Sequence, residues 1–174
     1  MIPDLKVGVV VLTNQESGEA FESIALHILD HYVGAAAFDW IDAFQKLQTR
    51  NAAATAAAER STAASRDAAS KPSLAPAKYA GTYRDGWYGD IEISERNGKL
   101  AIRFTRTPSL TGSLEHWQHD TFIARWMDRE LRADAYVTFA LDPDGSVDQA
   151  KMRAVSPDTD FSFDFQDLLL RPVR

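Results

Sequence analysis

The chain has no cysteine among its 174 residues. That excludes disulfides, thiolate-bound zinc and thiol catalysis, and it leaves the compartment open, because a cysteine-free chain survives in reducing and oxidising surroundings alike. Long hydrophobic runs are missing as well, and with them any stretch able to span a bilayer as a helix. Nor is there a basic excess. The net charge is −6, and division at Pro76 leaves 6 basic and 9 acidic residues before it and 13 and 16 from it onward, so each part stands at −3. Non-specific nucleic-acid or anionic-membrane partners are disfavoured on that balance. Motifs are scarce too. No Gly-rich phosphate loop, Gly-x-Ser-x-Gly elbow, His-Glu-x-x-His pair, Ser-x-x-Lys or Tyr-x-Asn occurs. No cofactor is called for by any residue pattern.

What is there falls into three stretches: residues 1–50, an alanine-rich connection over 51–76, and 77–174. Met1 to Asn14 lacks the basic start of a signal peptide, since Asp4 precedes its apolar part. Val7–Leu12 is short, β-branched and apolar, the pattern of a strand buried on both faces of a larger sheet, yet no neighbouring strands flank it. Phe21, Ile24, Ala25, Ile28 and Tyr32 recur at helical spacing, with Asn14 or Ser17 as cap and Gly34 as stop. A second helix is expected from Asp39, with Trp40, Ala43, Phe44 and Leu47 as its stripe. Asn51–Ser70 is half alanine, which favours helix intrinsically but has little to bury, so helix and loose linker both stay open. Lys71–Pro76 ends any helix there.

From Lys78 the period changes to two. Tyr79–Arg84, Asp90–Glu95, Lys99–Thr105, Leu114–Gln118, Thr121–Met127, Ala135–Leu141, Ser146–Val155 and Thr159–Arg171 read as strands, and Asp160 to Phe165 alternates so cleanly that three phenylalanines should share one face. Asn97-Gly98 predicts a tight hairpin. About eight short strands after the helices make the fold class α+β, with an antiparallel β-barrel whose interior is filled by side chains or holds one small ligand.

Candidate chemistry is thin. His116-Trp117-Gln118-His119-Asp120 is the densest polar cluster, but positions three apart on a strand face opposite ways, so both imidazoles meet only if the chain turns between them. His27 and His31 have helical metal-pair spacing without a third ligand and read as a solvated edge. Asp142 to Asp148 looks like a calcium loop, but its glycine stands fourth instead of sixth, so it reads as a hairpin turn. Asp160, Asp164 and Asp167 read as an outer face. An inside-out barrel would instead bring Asp164 and Arg103 inside. Trp87 and Tyr88, beside Asp90, Glu92 and Glu95, suggest a barrel mouth. Were the interior to bind a small hydrophobic ligand, the candidate lining would be Trp87, Tyr88, Arg103, His116 and Trp117.

Asp4-Leu-Lys-Val-Gly-Val-Val-Val-Leu-Thr-Asn14, followed by Ala25-Leu-His-Ile-Leu-Asp-His-Tyr32, resembles the C-terminal end of a β-lactamase-related serine hydrolase of the class C, penicillin-binding-protein-like kind. Tyr79-Ala-Gly-Thr-Tyr-Arg84, Leu114-Glu-His-Trp117 and Asp160-Phe-Ser-Phe-Asp-Phe-Gln-Asp-Leu168 resemble the uncharacterised domain that commonly follows such hydrolases. The resemblance implies a lipocalin-like barrel without established activity. It also implies a strand at 7–12 that belongs inside a hydrolase sheet, and a periplasmic or cell-envelope setting. It places the family's Ser-x-x-Lys, Tyr-x-Asn and Lys/His-x-Gly motifs upstream of the matched residues, so no catalytic residue is expected here. A bare strand at 7–12 would leave several hundred Å2 of apolar surface uncovered, worth several kcal/mol at ~25 cal/mol per Å2. The expected cover is the chain's own barrel or a second copy, in a homodimer through residues 1–50; a hydrolase catalytic domain is the other expected partner.

Overall fold

The computed structural model describes residues 1–14 and 17–173. They form two compact units, Met1–Ala56 and Ala57–Arg174, divided within a helix.

Helix α1 (Gly18–Val33) starts where the Ser17 side chain accepts from the Ala20 N–H, and stops at Gly34, whose φ of 67° lets its N–H turn back to the Asp30 and His31 carbonyls. Those are the cap and stop legible in the sequence. The alternative cap Asn14 is not used. Helix α2 (Trp40–Ala64) opens with the Asp39 carboxylate accepting from the Asp42 N–H at 2.9 Å. It runs unbroken through the first part of the alanine-rich stretch, which settles that stretch as helix as far as Ala64. The Trp40 indole N–H donates to Asp30 at 2.6 Å and its ring meets Phe38 at 4.6 Å, so the start of α2 is clasped to the end of α1. No helix among the described residues is long and apolar enough to cross a membrane.

Val7–Leu12 corrects the sequence reading. Pro3–Leu5 makes a 3-10 turn, Lys6 takes a left-handed φ of 53°, and an isolated bridge joins Ile2 to Val7. Residues 8–13 form no strand, and Val10 and Leu12 are 84% and 90% exposed. A β-strand is defined by hydrogen bonds to a neighbour, and composition alone supplies none.

Eight antiparallel strands follow in simple sequence order: β1 (Gly81–Asp85), β2 (Gly89–Arg96), β3 (Lys99–Phe104), β4 (Thr111–Gln118), β5 (Thr121–Trp126), β6 (Ala135–Leu141), β7 (Val147–Ala154) and β8 (Leu169–Pro172). Each pairs with the next, and β1 closes on β8 through Tyr83–Pro172 and Arg84–Arg171. The result is a closed barrel with no free edge. Arg96 faces Lys99 across Asn97-Gly98, whose φ values of 54° and 78° make the predicted tight turn. Gly112 is required for closure: a Cβ there would lie 2.0 Å from the Arg125 carbonyl oxygen on β5.

Inward positions pack the interior with the chain's own side chains. Tyr79, Phe104, Trp126 and Phe165 are fully buried, and Ile91, Ile102, Leu110, Val137 and Leu170 fill between them. Rings meet edge to face, as at Phe104–Trp126 (5.9 Å) and Tyr79–Phe122 (5.1 Å). This corrects the inside-out alternative, since Arg103 and Asp164 both face solvent. The predicted long strand over Thr159–Arg171 is corrected too. Only its end is strand; Phe165–Asp167 is a 3-10 turn, and the segment crosses the end of the barrel between β7 and β8. Its alternating phenylalanines therefore do not share a face. Phe161 is 90% exposed, Phe163 is half-buried, and Phe165 is buried against Trp126.

Candidate functional site

The polar cluster at the β4–β5 turn holds the densest hydrogen bonding. A bulge lets His116 pair with Phe122 while Gln118 pairs with Thr121, leaving Trp117 as the extra residue. His119 takes a φ of 45°, so the chain does turn between the two histidines. They do not form a metal pair. His116 Nε2 donates to the His119 carbonyl at 3.0 Å, and the His119 ring lies 3.8 Å from Asp67. Among the described residues no group of three His, Cys, Asp or Glu side chains is placed to hold a metal ion.

The turn is instead the anchor for residues 66–79, which strap this end of the barrel. Arg66 Nε donates to the Trp117 carbonyl at 2.7 Å, the Asp67 N–H donates to Gln118 Oε1 at 2.7 Å, and the His119 N–H donates to Ser70 Oγ at 2.9 Å. Asp120 is the centre. Its carboxylate accepts from the Ser73 N–H at 2.8 Å, from Ser73 Oγ at 2.7 Å and from the Tyr79 hydroxyl. Burial alone would raise the Asp120 carboxyl, but the bonds from Tyr79 and Ser73 outweigh it and hold the group below the ordinary carboxylate value. The Tyr79 phenol is pushed upward, chiefly by burial and then by its bond to Asp120.

Asp85 plays the matching part at the other end. It accepts from the Trp87, Tyr88 and Leu169 N–H groups at 2.7, 2.9 and 2.9 Å, joining the β1–β2 turn to β8. Burial opposes its ionisation, and these three donors reverse the effect, so its carboxyl also lies below its usual value. Sequence reasoning missed Asp85, Ser73 and Tyr79 as anchors. Asp85 beside a Gly-containing turn was a visible signal; the long-range partners were not.

The five residues suggested as a ligand lining are not brought together. Trp87 is 84% exposed at the β1–β2 turn, and Tyr88 lies half-buried with its ring 5.6 Å from Phe104. Arg103 faces outward and pairs with Glu92 at 2.7 Å across β2 and β3. His116 sits at the opposite end of the barrel over Phe122 (5.6 Å), and Trp117 is on the outer wall, 5.6 Å from Tyr136. His27 and His31 lie exposed along α1. Asp142 to Asp148 is the expected hairpin turn, with the Gly145 N–H donating to the Asp142 carbonyl at 2.9 Å.

Within Met1–Ala56 a groove of about 950 Å3 lies between the two helices and is lined by Ile24, Phe38, Ile41 and Phe44. Ile41 is 63% exposed. One further correction concerns motifs: Lys6-Val7-Gly8 does spell Lys-x-Gly. No Ser-x-x-Lys or Tyr-x-Asn accompanies it. Among the described residues no imidazole is hydrogen-bonded to a serine hydroxyl.

A family model described as "Domain of unknown function (DUF3471)" matches residues 65–172. None of the curated proteins compared matches the chain. Among solved structures, the crystal structure of the C-terminal domain of penicillin binding protein Rv0907 is similar to it, at 20% identity over 60% of this chain and 88% of that one, with a TM-score of 0.42.

Proposed function

Because the chain belongs to the DUF3471 family, a domain of unknown function, we propose that its barrel is a non-catalytic accessory module of a β-lactamase-like serine hydrolase. In this reading a hydrolase catalytic body covers the apolar faces of residues 1–50, and a second copy of the chain covers them when that body is absent. The observation that carries the reading is the contrast in burial. The barrel's apolar interior is closed by its own residues, and its prominent polar groups are occupied in holding the ends shut. Residues 1–56 leave Val10, Leu12, Phe38 and Ile41 uncovered. The sequence resemblance supplies the kind of partner, and a filled interior favours it over a ligand-carrying barrel.

The test has two parts. The purified chain should be dimeric by light scattering and should turn over neither esters nor β-lactams. The catalytic body of a hydrolase that naturally carries this domain, expressed without it, should convert the dimer to a mixed complex with changed stability or kcat/KM. A monomer that leaves the catalytic body unaffected contradicts the proposal, as does hydrolysis by the chain alone.

A further inference from the structure

The outer wall of β5, β6 and β7 carries a groove of about 250 Å3 beside the last turn of α2. Strand register lays out its floor. Thr121, Thr138 and Lys151 form one outward row, and Ile123, Tyr136 and Arg153 form the next. Neighbours in such a row have Cβ atoms about 5 Å apart. The Thr121 and Thr138 hydroxyls are 3.0 Å apart, and Thr62 and Ser65 supply hydroxyls on the facing lip. Trp117 and Tyr136 form an aromatic side, each with a guanidinium over its ring: Arg66 at 4.5 Å and Arg153 at 5.3 Å.

The charge here runs against the rest of the chain. Net charge is −6, yet Arg66, Lys151 and Arg153 gather around this groove and, among the described residues, none of the three is paired with a carboxylate. Glu59 also acts on Tyr136, its carboxylate accepting from the Ser156 hydroxyl at 2.7 Å, so one acid stands against the three cations. Cations in excess over acids, several hydroxyls and an aromatic side together suit an anion on a small polar body. The volume is below the usual range for drug-sized ligands, which limits the guest to a few heavy atoms beyond the charged group.

We infer that this groove binds a small molecule bearing a carboxylate or phosphate oxyanion, with Lys151 and Arg153 as its charge partners. The site is independent of the proposed accessory role, since its lining includes no residue before Thr62.

Titration of the full chain by NMR at constant ionic strength tests it, with inorganic phosphate, glucuronate and glucose as separate probes. The Trp117 indole N–H and the Thr138 amide should shift saturably with phosphate, glucuronate or both, with Kd on the order of 1 mM. Response to phosphate alone or to glucuronate alone identifies which oxyanion is preferred. Lys151→Glu with Arg153→Glu should weaken binding at least about tenfold, while an unmoved Trp126 indole reports an intact fold. Both substitutions are on exposed side chains; should the double variant fail to fold, Arg153→Ala alone serves, with a smaller loss expected. Absence of saturable shifts, equal response to glucose, or binding that survives charge reversal would each overturn the inference.

Discussion

Residues 57–174 and residues 1–56 are both rich in apolar side chains, and they dispose of them in opposite ways. In the barrel 24 hydrophobic residues are buried, whereas among the described residues of the first unit Ser23 alone is buried. The difference lies in closure. Eight strands paired in a ring bring every inward side chain against others. Among the described residues of the first unit, two helices and an extended segment supply no third layer of their own. Apolar pattern specifies which face seeks cover; topology decides whether the chain provides it.

The comparison breaks most sharply at Trp126. It is fully buried, and its indole N–H donates to the Ala133 carbonyl at 2.6 Å. Trp126→Ala should cost about 3–5 kcal/mol in denaturant unfolding. Next comes Asp120. Replacing it with alanine strands the buried Tyr79 hydroxyl and the donors of Ser73, for an expected loss of about 1–3 kcal/mol. By contrast, Ile41→Ala, at a position that is 63% exposed, should change the stability of the monomer by under about 0.5 kcal/mol. If the proposed dimer forms, the same substitution should weaken it in sedimentation.

The pH dependence sharpens the same contrast. Asp85, Asp120 and Asp134 all have carboxyls held below their usual value of 3.8, in each case by hydrogen bonds that outweigh burial. Their contribution is complete above 3.8 and is lost as pH falls below it through the folded-state values. Barrel Tm should therefore drop on acidification past 3.8, and Asp85→Asn should shallow that fall. Tyr83 works in the other direction: burial raises its phenol from 10.0 to about 12, so stability declines as pH climbs from the first value to the second.

Local signals in the sequence were sufficient wherever the structure is local. Ser17, Gly34 and Asp39 cap the helices they precede or follow, and Asn97-Gly98 turns the hairpin it spells. Period-two patterning located the strands because neighbours in sequence are neighbours in the barrel. It failed at Asp160–Phe165, where alternation is compatible with a strand but the chain must cross a barrel end, and at Val7–Leu12, where among the described residues no strand pairs with it. The site was less legible. The turn carrying His116 to Asp120 stood out by composition, but its role depends on Ser73 and Tyr79, 47 and 41 residues away in the chain. The outward rows of Lys151 and Arg153 become a cluster only once register is known.

Hydrogen exchange on the dilute, monomeric chain tests the central claim most directly, because it reads both units in one experiment. Amides of β1–β8 should exchange slowly, protected up to the global unfolding free energy, while those of residues 1–56 exchange orders of magnitude faster. Equal protection across both units would contradict the account, since it would mean that the N-terminal helices bury a core of their own.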